Sequence, residues 1–303
     1  MGLLRALFRR GPKEGVVLAL GGGGARGLAH LGVLQVLEEE EIPVVAVAGT
    51  SAGAVVGAMW LALGSTVEVR RRWEAFLAAD FPSQLPEVRL TDEVSSRDNL
   101  LLSFAQRLQQ GAQVVLALHR RSLVELTDLD RAVAFLIPEL AVEALPRPFA
   151  AVVTDFATGQ AIALRRGNLR QAVAASSAVP GVVPPYPLAG RYVLDGGVVA
   201  EVPVAEAKAL SPRPVVAVDV GDLPRPGEDP TRITLPRVLL RAAVMTHARL
   251  RAALVAEADL VIRPAVAGLH WSEFHRWEEA VAAGKSAAAA CLNRLRALAM
   301  RQG

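Results

Sequence analysis

This sequence predicts an α/β fold with a mostly parallel central sheet, on three observations. Two apolar runs, Val16 to Leu20 and Pro43 to Ala48, have the length and composition of strands buried on both faces. Each runs directly into a glycine-containing turn, GlyGlyGlyAlaArgGly at Gly22 to Gly27 and GlyThrSerAlaGly at Gly49 to Gly53. Helical periodicity follows each turn, so the chain opens as βαβα, and parallel strands bring both turns to one edge of the sheet.

In order along the chain, Arg26 to Glu40 reads as the first helix, Val44 to Ala48 as the second strand and Ala52 to Leu63 as a helix rich in small residues. The uncharged stretch from Ile42 to Val67 has the hydropathy of a membrane span. Pro43, the GlyThrSerAlaGly turn and Gly64 cut it into a strand and a short helix, so it reads as buried core. Helical periodicity continues from Val67 to Ala79, and Phe81 to Asn99 carries prolines and charges without a period, as a segment covering a site would. Leu100 to His119 and Leu123 to Leu136 read as helices, with Ser122 placed to cap the second. Phe149 to Thr154 and Ala161 to Arg165 read as paired strands turned at Thr158-Gly159. Ala178 to Pro203 is dense in Pro and Gly, which favours a fixed loop, and it brackets a short apolar strand that ends in Asp195-Gly196-Gly197. Val215 to Val220 is the strongest late strand, and a polar loop follows from Gly221 to Arg232. Leu235 to Ala258 and Phe274 to Met300 read as helices around a short strand, Leu260 to Ile262. The organisation expected is a short amphipathic segment over residues 1–14, a core over 15–220, and a helical part over 221–303 packed on the same domain.

The chain has 303 residues, a formal charge of +3 and a single cysteine, Cys291. The charges are scattered, and no Lys/Arg tract alternates with aromatics, which argues against nucleic acid as a partner. One cysteine allows no intrachain disulfide and no Cys/His zinc cluster, so neither a metal nor an organic cofactor is expected, and a reducing cytoplasm fits. Arg5, Arg9 and Arg10 are followed by no apolar h-region, which argues against a secretory signal. Leu3, Leu4, Leu7 and Phe8 can share one face of a short helix, which would touch the inner membrane face weakly.

Ser51 lies in a tight strand-to-helix bend where side chains on either side would clash, and Gly49 and Gly53 supply the clearance. The serine then presents its hydroxyl at a helix start; the plainer reading is a helix cap. Gly22, Gly23 and Gly24 offer backbone N–H groups that a substrate oxygen can approach closely. A dinucleotide-binding turn is the rival, but that fold expects an acid at the end of the second strand, where this chain has Ser51. The pair of turns therefore reads as an acyl hydrolase. Asp195, at a strand end before two glycines, is the base candidate by context. His247, His270 and His275 are alternatives in the order a Ser, acid, His triad requires, and a non-catalytic lipid-binding regulator is the other reading of the chain. His30 reads as a packing or capping residue.

GlyGlyGlyAlaArgGly, GlyThrSerAlaGly and AspGlyGly, in this order, resemble the patatin-like phospholipase family. So does AlaSerSerAlaValProGlyValValProPro at Ala175 to Pro185. The motif spacing looks most like bacterial members related to the neuropathy target esterase group. The resemblance spans about Val16 to Val220 and implies a three-layer α/β/α sandwich that cleaves acyl esters of phospholipids, lysophospholipids or related lipids. It assigns Ser51 as nucleophile, Asp195 as its partner in a dyad without histidine, and Gly22 to Gly24 as the oxyanion hole. Arg26 matches the family's basic position, and Gly49, Gly53, Gly196 and Gly197 support the site. Glu201 departs from the family, where an Asn often stands.

Overall fold

The computed structural model describes residues 14–79, 122, 124–221 and 235–300. The expectations for residues 1–13, for 81–99, for the helix over 100–119 and for most of the loop over 221–232 lie outside the described residues.

Strand β1 (Val16–Leu20) shows why the apolar runs become central strands. Val16, Leu18 and Leu20 enter one hydrophobic core, and Val17 and Ala19 enter another. Side chains alternate across a strand, so a strand that is apolar throughout needs cover on both faces. The covers are helices, giving the three layers. On the larger face lie α1 (Ala29–Glu39), α2 (Ala52–Leu63), α3 (Thr66–Ala78), α4 (Leu126–Leu136), α5 (Leu169–Ser176), α8 (Trp277–Ala290) and α9 (Leu292–Ala299). The short helix α6 (Val204–Lys208) and the end of α7 (Leu235–Val255) cover the other.

The remaining strands are β2 (Val44–Thr50), β3 (Phe149–Asp155), β4 (Ala161–Leu164), β5 (Tyr186–Leu188), β6 (Arg191–Asp195), β7 (Val215–Val218) and β8 (Leu260–Ile262). They are ordered β5-β6-β3-β2-β1-β7-β8, with β4 paired to β3. The run from β3 through β8 is parallel, and β4, β5 and β6 add antiparallel pairs. On β3, Val152 faces both Thr50 and Ala163, while the next residue, Val153, faces both Asp195 and Ile162. Strand β4 therefore takes one edge of β3, and β2 and β6 share the other edge end to end. This register brings the C-terminus of β2 against the C-terminus of β6.

Helices α1 and α8 approach through glycine: a Cβ at Gly32 would lie 2.0 Å from the Val281 carbonyl oxygen, and one at Gly284 would lie 1.9 Å from that of Ala29. Only backbone-to-backbone contact fits there.

Several elements differ from the sequence reading. The helix expected over Arg26 to Glu40 begins as a 3-10 turn, Gly24–Leu28, and becomes α-helical at Ala29. Gly24 takes φ +59°, and the Ala25 amide donates to the Trp271 carbonyl at 2.7 Å, which fixes that first turn from outside. Ser122 is not a cap. The Val124 amide is drawn to the Val182 carbonyl, and α4 starts after Glu125. The helix expected over Phe274 to Met300 is broken at Cys291 into α8 and α9, preceded by a 3-10 turn at Phe274–Arg276. The break turns α9 so that Leu295, Leu298 and Ala299 are buried and the Ala299 carbonyl accepts the Gly15 amide. The stretch read as a loop over 178–203 also contains the β5–β6 hairpin. No single helix among the described residues is long and apolar enough to cross a membrane. The hydropathic stretch from 42 to 67 is divided between β2, α2 and the start of α3, with Gly64 left-handed at the end of α2.

Candidate active site

Ser51 closes β2 and precedes α2 with φ 52° and ψ −122°, a conformation that costs a non-glycine residue on the order of 1–3 kcal/mol. Its side chain makes no capping bond to α2, which removes the reading of Ser51 as a helix cap. The flanking glycines are needed sterically. A Cβ at Gly49 would lie 2.6 Å from the Ala54 backbone, and one at Gly53 would lie 2.1 Å from the Leu20 carbonyl oxygen. The elbow is held from β3 by Ser176, a buried residue at the end of α5. Its hydroxyl accepts the Ser51 amide at 3.0 Å and donates to the Val152 carbonyl at 2.6 Å. Sequence reasoning quoted the motif containing Ser176 and assigned it no role.

Asp195 comes to Ser51 through the shared β3 edge. Its backbone carbonyl accepts the Thr154 hydroxyl at 3.0 Å, and its Oδ1 accepts the Gly197 amide at 2.6 Å. Burial pushes the carboxyl up from its ordinary 3.8 to about 6, opposed by the nearby Ser51 hydroxyl and by the hydrogen bond from the Gly197 amide. Gly196 lets this turn sit on β3, since a Cβ there would lie 2.3 Å from the Val152 carbonyl oxygen. Thr50, also unassigned from sequence, donates its hydroxyl to the Ala200 carbonyl at 2.8 Å and ties the two turns together.

The three glycines of the first turn are not equivalent. The Gly22 amide donates to the Glu201 carbonyl at 2.9 Å, so that donor is already engaged. The Gly23 and Gly24 amides have no protein acceptor among the described residues, and both line the cavity beside Ser51. Arg26 is buried below this turn, with its Nε donating to the Gly23 carbonyl at 3.4 Å. His30 is fully buried, its Nε2 donating to the Gly21 carbonyl at 2.7 Å, and burial depresses it to about 4. It is a neutral packing residue, as its place on the helix suggested.

Two of the late histidines, His247 and His275, line the same cavity as Ser51 and Asp195. His247 Nδ1 lies 3.4 Å from Glu201 Oε2, and that partner raises the imidazole above its ordinary value. His270 Nδ1 bonds the Ser272 hydroxyl at 2.7 Å. His275 lies on the cavity wall. Glu201 also receives the buried Arg251 guanidinium at 3.1 Å, and Arg251 in turn meets Asp219 at 3.2 Å. Among the described residues, no group of three or more His, Cys, Asp or Glu is placed to hold a metal ion.

Ser51, Asp195 and the glycine turn open into a cavity of about 1340 Å³. Away from the polar groups its wall is apolar, built from Val55 and Val56 of α2, Trp73 and Phe76 of α3, and Leu129 and Val133 of α4. A long hydrocarbon chain fits such a wall, while a reacting ester would lie at the Ser51 end.

Comparison with known proteins places these features in a lineage. A Mycobacterium tuberculosis protein of the NTE family is 34% identical over 205 residues, which cover 68% of this chain and 49% of that protein. Human patatin-like phospholipase domain-containing protein 6 is 29% identical over 208 residues, 68% of this chain and 13% of that protein. The chain thus spans about half the length of the mycobacterial relatives it matches and a small part of the human one. Among solved structures, VipD from Legionella pneumophila aligns at TM-score 0.45 and 17% identity, covering 95% of this chain and 67% of that one. The family profile described as patatin-like phospholipase matches residues 18–208, a span that contains both glycine turns, Ser51 and Asp195: the chain belongs to the patatin-like phospholipase family.

Proposed function

We propose that this protein is a serine acyl hydrolase that cleaves fatty-acyl esters of phospholipids, lysophospholipids or related lipids through a Ser51–Asp195 dyad. The observation that carries the reading is a strained, non-capping serine that lines one apolar cavity together with the buried carboxyl of Asp195. In the first step Ser51 Oγ attacks the ester carbonyl carbon, and its proton passes to the Asp195 carboxylate. The developing oxyanion accepts the Gly23 and Gly24 amides, which support an oxyanion hole narrower than the three glycines suggested by sequence. Collapse of the tetrahedral intermediate expels the alcohol, which takes the proton from Asp195. Water then repeats the sequence on the acyl-serine, releasing the fatty acid.

A carboxyl near its ordinary pKa is a weak base for a serine hydroxyl. Raised to about 6, Asp195 is a better acceptor and still ionised at neutral pH. The test is covalent labelling by a fluorophosphonate together with turnover on acyl esters of increasing chain length. Labelling lost in Ser51→Ala and turnover that rises with chain length are expected. Labelling that persists in Ser51→Ala refutes the nucleophile, and turnover insensitive to chain length refutes the apolar cavity as an acyl site.

A further inference from the structure

Helix α7 is the longest helix among the described residues, and it runs beside the site. Its inward face carries Val244 on the cavity wall and ends in the buried Val255. At about 100° per residue, the opposite face carries Leu235, Leu239, Met245 and Arg249. That face is open to solvent, with Leu235 71%, Leu239 62% and Met245 44% exposed. An apolar stripe on the outside of a helix whose inside lines the cavity needs an occupant. The helix sequence from 235 to 255 carries neither Asp nor Glu, and while Arg251 is buried against Glu201 and Asp219, Arg249 is exposed on the outer face, so the complementary surface is anionic. A second copy set face to face would bring two basic helices together, which charge disfavours.

We propose that the solvent face of α7 is a docking surface for an anionic lipid bilayer, which lays the leucines in the interface and sets the cavity against the membrane. Docking itself stands on the geometry and charge of α7, and only its purpose, delivery of a lipid ester to Ser51, rests on the proposed function. Arg249 meets an anionic headgroup while the apolar stripe enters the boundary of the acyl region.

The experiment is cosedimentation with vesicles of equal parts phosphatidylglycerol and phosphatidylcholine, compared with vesicles of phosphatidylcholine alone, using the full chain. The unsubstituted protein should bind the anionic vesicles more tightly. Leu235→Glu with Leu239→Glu should lower that binding on the order of tenfold or more, the effect of withdrawing a leucine from an apolar phase. Hydrolysis of a soluble short-chain ester should persist, because neither leucine lines the cavity. If the double variant misfolds, the exposed Arg249→Glu tests the same face by lowering anionic-vesicle binding alone. Unchanged vesicle binding in these variants, or equal binding to both vesicle types, overturns the proposal. A dimer seen by light scattering that the double variant dissociates, with vesicle binding unaltered, gives the face to a second copy and also overturns it. Vesicle binding by Ser51→Ala separates docking from chemistry: the docking variant keeps turnover on the soluble ester, and the nucleophile variant keeps binding.

Discussion

Replacing Asp195 by Asn should stabilise the protein at neutral pH while removing its activity, and the size of the gain follows from burial. The carboxyl is held at about 6 against an ordinary 3.8. A difference of about two units, at 1.36 kcal/mol each, is about 3 kcal/mol. A carboxyl whose pKa is higher in the folded chain binds its proton more tightly there. Its contribution to stability is therefore full below about pH 4 and is lost as the pH rises through 6. Asparagine stays neutral throughout, keeps an oxygen for the Gly197 amide, and offers an amide N–H to Ser51 in place of a proton acceptor. The unfolding free energy of Asp195→Asn minus that of the unsubstituted chain should grow between pH 4 and pH 7.5 by up to about 3 kcal/mol. In melting temperature this is roughly 5–10 °C. Paired thermal melts across that range measure it, with ester turnover followed in parallel. Turnover should fall by about 10² to 10⁴, the loss expected when a general base is removed. A stability difference that does not change with pH would show that the folded chain holds the carboxylate at no cost, and the reasoning from burial would fail.

Ser51→Gly should abolish turnover and fluorophosphonate labelling while raising stability by about 1 kcal/mol, because glycine relaxes at φ 52°; a less stable variant would deny strain at the elbow. Gly24→Ala, with φ +59° and a Cβ 2.3 Å from the Trp271 carbonyl oxygen, should lower both melting temperature and rate, on the order of 10² in rate if its amide serves the oxyanion. An unchanged rate would return that turn to a packing role. His247→Gln, His270→Gln and His275→Gln should each keep turnover within about tenfold, since no histidine base is invoked. The acid limb of the pH–rate profile should lie near pH 6 and move up in His247→Gln, whose positive charge favours the ionised Asp195. A histidine variant without activity beside an active Asp195→Asn would reverse the roles.

The central strands were legible because burial on two faces leaves an unbroken apolar run, as in Val16–Leu20. The two turns were legible because close approach at Gly24 in the first and at Gly49 and Gly53 in the second can be met only by glycine. Other elements left little signal. Strand β5 is three residues long with a proline at its centre, too short to show a period. Helix α5 is eight residues long, although Asn168 does accept the Gln171 amide as a cap should, and that asparagine was the available clue. The break at Cys291 interrupts a run of alanines with no Gly or Pro; it comes from tertiary packing of α9, which local sequence does not encode. In the site, the types and order of Ser51, Asp195 and the glycines could be read. That the Gly22 amide is already bonded to Glu201, and that Ser176 holds the elbow, depends on contacts between residues more than a hundred positions apart.

Glu201 ties these contacts to the chemistry. A carboxylate there is expensive unless it is paired, because its charge also opposes ionisation of Asp195. The chain supplies the pairing from α7, where Arg251 and His247 both reach Glu201. Arg251 is buried and bridges to Asp219, so removing either carboxylate would leave its charge under-compensated. The Glu201 backbone carbonyl also accepts the Gly22 amide and so fixes the turn that carries the Gly23 and Gly24 amides. One residue therefore links the first glycine turn, the charge around Asp195 and a helix that lies beyond residues 18–208. The matched family core carries Ser51 and Asp195, but the electrostatic setting of Asp195 is completed by α7.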